Sequence, residues 1–257
     1  MVLTEKSLKN AYIWSTHVKR ATIRVNGVEK QVRPSGWQPW ANTIAYYPLT
    51  SETTVNDMSG NNRNLTNRWW VTFWTHYWIS CANITWNSDS PHQNSKYLYW
   101  DVTWFPTWAW QRTYNFWMYQ DNQATSQNAM YIAQWTAGMN KMVVVLQWRD
   151  FSWNVWLTSY WYWSGVTSPI IWEWHNIIIT YSWSKFSYYV NGEEKINWVH
   201  TVDTSSSLVS IWWTSQEANT WSSFNWCFSS LILEDKERTA QEVANYYNLT
   251  KSNYWIS

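Results

Sequence analysis

Carboxylates, histidines and cysteines do most covalent and acid–base chemistry, and their spacing in this chain argues against catalysis. Glycoside hydrolysis takes two carboxylates roughly 5–10 Å apart. Glu193 and Glu194 are adjacent, so on a strand they point to opposite faces. Glu234, Asp235 and Glu237 fall where a strand runs into a helix and read as solvated. The five histidines, His17, His76, His92, His175 and His200, show no H-x-x-x-H or Cys/His metal spacing. No G-x-S-x-G elbow or phosphate loop is present. Cys81 and Cys227 are too few for a disulfide framework; one bridge and two half-buried thiols both fit.

The elements that would position any site are strands. Trp174 to Val199 organises the chain. Ile177, Ile178 and Ile179 are β-branched and lie between Trp174 and Tyr181, so this run reads as a buried strand. Phe186, Tyr188 and Val190 alternate with Ser187 and Tyr189 at period two. Asn191-Gly192 then closes a two-residue hairpin, because both central residues need positive φ. Residues 187–196 should pair across that turn.

The run W-H-N-I-I-I-T-Y-S-x-S-K-F-S-Y-Y-V-N-G resembles the central signature of laminin-G-like, or concanavalin A-like, jelly rolls. Ile44 to Leu49 with Val55 to Thr66 resembles that family's Y-Y-P-F/L … D-x-S-G-N-x-x-N-L segment, and Phe224 to Leu233 its closing strand. Thr239-Ala240-Gln241-Glu242 is a capping box, and Val243, Tyr246 and Tyr247 give the stripe of a closing helix through about Thr250. The resemblance covers about residues 40–251. It implies an all-β fold: a two-sheet antiparallel jelly-roll sandwich with one short C-terminal helix. Residues 1–36 form a small β-hairpin and linker unit around Asn26-Gly27, with a further short strand at Ala11-Tyr12-Ile13, and 37–257 form the jelly roll. The leading unit is similar to β segments that precede sugar-binding-like domains in phage tail and virion proteins.

The resemblance also implies candidate sites. Catalytic relatives carry E-x-D-x-(x)-E on one strand, and no such triplet occurs here, so the chain is expected not to be an enzyme. A glycan hydrolase with an unfamiliar acid pair is the outlying alternative. Along Thr113 to Gln120, Tyr114, Phe116 and Met118 face one side, and Asn115, Trp117 and Tyr119 the other. The second face either lines a concave sugar-facing surface or is core. Tyr99, Trp117 and Tyr119 are the candidate carbohydrate contacts. In relatives the Asp of the first loop can help hold calcium, which makes Asp57 and Asn61 candidate ligands. A hard cation wants six to eight oxygens, so one Asp is not a site by itself, and a structural Asx turn is the competing reading. Ser229 and Ser230 stand where that family often has acidic residues, which removes ligands. No cofactor is required; calcium is the one to test.

The 257 residues suffice for one large β domain or two small ones, and a net charge of +1 leaves no electrostatic footprint for nucleic acid. No apolar run approaches the ~18 residues of a spanning helix, and the first ten residues lack a secretory apolar core, so neither membrane insertion nor a signal peptide is expected. The resulting expectation is a non-catalytic carbohydrate-binding or surface-attachment module, extracellular or on a virion surface. Its partners would be host glycans or polysaccharides, with virion proteins or further copies of itself. A structural or adhesive protein making protein contacts only is the alternative.

The chain has 28 Trp and only 6 Gly, although glycine is normally about 7% of residues and β chains need it at turns. Trp69-Trp70 and Trp212-Trp213 stand where a Gly pair would suit a loop, and Trp183 splits two serines in a turn. Some bacteria decode UGA as glycine and others as tryptophan, so most of these tryptophans are read as native glycines. Trp37, Trp40, Trp117 and Trp174 look genuine and should be buried with their N–H groups partnered. Trp69, Trp70, Trp183, Trp212, Trp213, Trp221 and Trp255 should be exposed in turns, several with positive φ. Glycine at all but the four genuine positions brings its content to about 12%.

Overall fold

The computed structural model describes residues 21–25, 28–32, 42–51, 55–68, 71–76, 78–85, 97–101, 110–120, 129–135, 142–149, 152–159, 162–167, 173–199, 208–211 and 225–254. The chain divides into two compact units, Met1–Trp40 and Ala41–Ser257. The first holds strands β1 (Ala21–Val25) and β2 (Val28–Val32), paired antiparallel. The expected strand at Ala11–Ile13 lies outside the described residues.

The second unit runs β3 (Thr43–Tyr47), β4 (Thr66–Arg68), β5 (Thr72–His76), β6 (Ile79–Thr85), β7 (Tyr97–Asp101) and β8 (Arg112–Gln120). It continues with β9 (Ala129–Trp135), β10 (Met142–Arg149), β11 (Ser152–Ser159), β12 (Tyr162–Thr167), β13 (Trp174–Ser182) and β14 (Lys185–Val190). It closes with β15 (Glu193–Val199), β16 (Leu208–Ile211), β17 (Asn225–Glu234), helix α1 (Ala240–Thr250) and a 3-10 turn, Lys251–Tyr254. One sheet has the order β12-β11-β10-β9-β16-β7-β4. The other has the order β15-β14-β13-β8-β17-β6-β5, with β3 also paired to β17. The result is an all-β antiparallel sandwich with one short C-terminal helix. Strands β4, β5 and β12 are additions to the sequence reading; β4 is three residues long, and β5 is an edge strand with mostly exposed residues, so neither carries an apolar pattern.

The three central strands of the larger sheet are covered on both faces. On β8, Tyr114, Phe116 and Met118 enter the main core, while Trp117 and Tyr119 join a second cluster. On β13, Ile177, Ile179 and Tyr181 enter the main core and Trp174 the second cluster. Leu98 of β7, in the other sheet, belongs to the main core, which therefore lies between the sheets. Strand β17 keeps this division through a bulge. Phe228 and Leu231 both reach the main core although they are three residues apart, because the register shifts between Phe228 and Ser230. Without the extra residue the apolar set of Leu231 and Leu233 would point to the outer face.

The hairpin at Asn191-Gly192 forms as its chemistry requires, with φ of +51° and +83°. Val190 pairs with Glu193 and Tyr188 with Ile196, with a bulge between Tyr188 and Tyr189. Asn191 also ties the turn to β13: its N–H donates to the Asn176 carbonyl at 2.9 Å, and its Oδ1 accepts from the Asn176 N–H at 2.9 Å. Gly192 lies under α1, where a Cβ would come within 3.1 Å of the Tyr247 ring.

Helix α1 starts at the capping box. Thr239 Oγ1 accepts from the Glu242 N–H at 3.2 Å, and the Glu242 carboxylate accepts from the Thr239 N–H at 2.9 Å. Just before it, Glu234 departs from the solvated position expected of it: it is fully buried. Arg238, four residues on, folds back and donates from Nε at 2.6 Å and from Nη2 at 2.5 Å to its two oxygens. A buried carboxylate needs such a fork, since one left unpaired would cost several kcal/mol, on the order of 3–5. Burial pushes the Glu234 carboxyl up, and the Arg238 hydrogen bonds oppose that. For Glu242, partial burial pushes up, but hydrogen bonds from Lys236 and the Thr239 amide, with the Arg238 charge, hold it down to about 2. Among the described residues no helix is long and apolar enough to cross a membrane.

Two outcomes follow from this geometry. Gly60, at φ +98° where an added Cβ would meet nothing, should lose about 1–2 kcal/mol on Gly60→Ala from backbone strain alone. Gly192→Ala should lose more, about 2–4 kcal/mol, because strain and crowding against Tyr247 add; equal urea midpoints for the two variants would dismiss the close packing of α1 on the hairpin. Second, the lowered Glu242 carboxyl stabilises the fold above its ordinary value of 4.5, and that contribution disappears as pH falls towards about 2. Denaturation midpoints between pH 4.5 and 2 should fall less steeply in Glu242→Gln than in the parent.

Candidate functional site

Among the described residues three places could carry function: the outer face of β8 and β13, the loop around Asp57, and the exposed aromatic rings near the β13–β14 turn. The outer face is closed. Tyr254, in the 3-10 turn after α1, stacks on Trp117 with ring centroids 3.8 Å apart and planes 7° from parallel. Tyr247 of α1 lies over the same indole at 6.0 Å. Trp174 contacts Tyr254 at 5.3 Å and Tyr119 at 5.6 Å, and His76 sits 3.9 Å from the Tyr119 ring. Small side chains make room: the hydroxyl of Ser229, at the β17 bulge, meets that of Tyr254.

Trp117 and Tyr119 are therefore wholly buried. A role in sugar stacking is corrected for both: a sugar needs a free ring face, and the C-terminal segment already occupies it. The structure brings these two together but places Tyr99 on β7 of the other sheet. The Tyr99 side chain lies outside the described residues. The alternation of β8 is as the residue pattern implies; the cover on its outer face comes from residues more than a hundred positions away. Its one local signal was the Val243, Tyr246, Tyr247 stripe.

Cys81 and Cys227 lie on this covered face as buried free thiols. The Trp74 indole N–H donates to Cys227 Sγ at 2.8 Å, and the neighbouring Cys227 thiol together with burial pushes the Cys81 thiol up, away from the thiolate form.

The Asp57 loop is a hydrogen-bonded hub. Oδ1 of Asp57 accepts from the N–H of Tyr46 at 3.0 Å and of Ser59 at 2.8 Å. Oδ2 accepts from Ser59 Oγ at 2.8 Å and from the Arg63 N–H at 3.1 Å. Asn61 turns its amide nitrogen, not its oxygen, towards Ile44 O at 3.1 Å and Ser59 Oγ at 3.0 Å. A cation wants converging oxygens, whereas the Asp57 oxygens here are already saturated by donors. This is the geometry of an Asx turn that pins the loop to β3. Among the described residues no group of three His, Cys, Asp or Glu side chains is placed to hold a metal.

Among the described residues the large exposed rings are tryptophans. Trp110 is 62% and Trp183 56% exposed, with centroids 6.1 Å apart, and Trp78 is 79% exposed. Trp117 at 0% and Trp174 at 4% are buried as expected, but neither indole N–H finds the expected acceptor. Trp37, Trp40, Trp69, Trp70, Trp212, Trp213, Trp221 and Trp255 lie outside the described residues.

No family model matches the chain, and no curated protein matches it significantly in sequence. Solved structures match in fold. The binding domain of Paraclostridial Mosquitocidal Protein 1 superposes with a TM-score of 0.60 at 13% identity, over 82% of this chain and 53% of that one. A structure of botulinum neurotoxin type C, whose cell entry depends on interaction with two ganglioside molecules, gives 0.57 at 11% identity, over 80% and 51%. Domain 4 of a GH43 extracellular arabinanase from Geobacillus stearothermophilus, solved with arabinotriose, gives 0.58 at 14%, over 79% and 97%. The chain spans about half the length of the toxin structures it matches. At these identities the likeness defines the fold, an all-β sandwich shared with binding domains.

Asp57→Ala should cost about 2–3 kcal/mol by stranding four donors of the loop. Thermal melts of parent and variant, each with and without excess calcium, check this. A calcium-dependent rise in the parent that the variant lacks would restore Asp57 as a ligand.

Proposed function

We propose that this chain is a non-catalytic binding module that attaches to glycans. The observation that carries the reading is its superposition, over 97% of that domain, on an arabinanase domain solved with arabinotriose. The likeness to a toxin whose entry depends on gangliosides supports the same class of ligand. The carboxylates support the non-catalytic part. Glu234 and Glu242 both lie against Arg238, and Glu193 pairs with Lys195 at the surface. None of these is placed as a free acid beside a free base across a groove.

The finer identity we propose is a laminin-G-like jelly roll. Its signature residues fall on β13, β14 and their turns, and its closing segment on β17 and α1. The setting we propose is an extracellular or virion surface, on the resemblance of the leading hairpin unit to segments of phage tail proteins. Because the face bearing Trp117 and Tyr119 is covered, the sugar would meet the loops or the smaller sheet, where Tyr99 is the remaining candidate contact.

A glycan array spanning plant, bacterial and animal polysaccharides, read with the labelled protein, tests this. Binding to at least one glycan class, without release of reducing ends from that glycan, is expected. Absence of binding to every class sinks the glycan reading in favour of protein contacts, and released reducing ends sink the non-catalytic one.

A further inference from the structure

Two exposed tryptophans occupy backbone conformations that suit glycine. Trp183 opens the two-residue turn between Ser182 and Lys185, which pair as the last residues of β13 and the first of β14. Its φ is +50°. Trp78 lies in the two-residue connection between His76 and Ile79, which pair across β5 and β6, and its φ is +68°. Such hairpins require positive φ, which the Cβ of an L residue resists by about 1–2 kcal/mol. The chain supplies its own comparison at the β14–β15 turn, where the same need is met by Asn191-Gly192.

Among the described residues three other non-glycine residues have positive φ, and each has a visible reason. Asn62 and Asn191 are the residue type that tolerates it best. Leu49 is fully buried, so its packing in the main core offsets the strain. Neither tryptophan has such an offset, since both rings project into solvent. Exposing an indole forgoes the large burial gain that is the ordinary reason to carry one. The buried tryptophans behave otherwise: Trp117 and Trp174 sit inside strands and fill the second core. A chain with 28 Trp and 6 Gly therefore contains two physically distinct sets.

We propose that the native protein carries glycine at positions 78 and 183, encoded by UGA, and tryptophan at 117 and 174. The chemistry of translation allows it, because the same codon is read as glycine under one genetic code and as tryptophan under another. The consequence bears on ligand recognition. The Trp110–Trp183 pair, with planes tilted by 36°, joins two exposed rings among the described residues, and it invites assignment as a sugar platform. With glycine at 183 that platform does not exist, and glycan contacts lie elsewhere.

Peptide mass spectrometry of the protein from its source organism decides the question. Glycine at both positions with tryptophan at 117 and 174 is expected; tryptophan at 78 and 183, or UGG codons there, overturns the proposal. A stability series tests it on the recombinant chain. Trp78→Gly and Trp183→Gly should each raise Tm by about 2–4 °C, and Trp117→Gly should lower it by ten degrees or more, or prevent folding. A fall in Tm for both turn variants counts against it. None of these readouts involves a glycan, so their failure is separable from that of the glycan-binding reading.

Discussion

The stack of Tyr254 on Trp117 is the contact on which the larger sheet depends. A sheet in a sandwich has one face buried by its partner and one free to meet water. Here the outward residues of the central strands are as apolar as the inward ones: Trp117, Tyr119 and Trp174 cannot stand in solvent without losing a few kcal/mol each, on the order of 2–3. The chain resolves this by bringing its own C-terminus back over the face. Helix α1 delivers Tyr247, the 3-10 turn delivers Tyr254, and serines at the β17 bulge leave the space they fill.

Polar side chains fix where that cover lands. Thr113 of β8 donates to the Lys236 carbonyl at 2.6 Å and accepts from the Arg238 N–H at 3.2 Å, which pins the strand-to-helix corner. The Glu234–Arg238 fork fills the same corner with a charge pair that neither member could leave unpartnered. At the far side, Asn176 bonds Asn115 at 2.8 Å and Asn191 across the hairpin, so the turn, β13 and β8 form one hydrogen-bonded unit. Gly192 then lets the Tyr247 ring approach the backbone. Each contact is directional, so together they select one seating of α1 where apolar packing alone would tolerate several.

This closure narrows where recognition can occur. A face already packed by its own chain has no free aromatic ring to offer, and a loop whose carboxylate is saturated by N–H and O–H donors has little to offer a cation. The same reasoning separates tryptophans that the fold uses from those it merely carries. A ring that fills a core is explained by its surroundings, whereas a ring on a strained turn is explained by none of its neighbours.

Local pattern was enough for much of the architecture. Period-two alternation placed β8 and β14, the β-branched run Ile177 to Ile179 placed β13, Asn191-Gly192 placed a hairpin because few residue pairs accept two positive φ angles, and Thr239 with Glu242 placed the start of α1 because a cap is satisfied within four residues. The imbalance of Trp and Gly was likewise plain in the composition. What the sequence could not hold was any fact that joins distant segments. That Trp117 and Tyr119 are core, that Tyr99 lies on the opposite sheet, that Glu234 is buried against Arg238, and that β17 changes faces at Ser229-Ser230 all depend on which surface another segment covers. Burial is a property of pairs of elements, and only the tertiary structure pairs them.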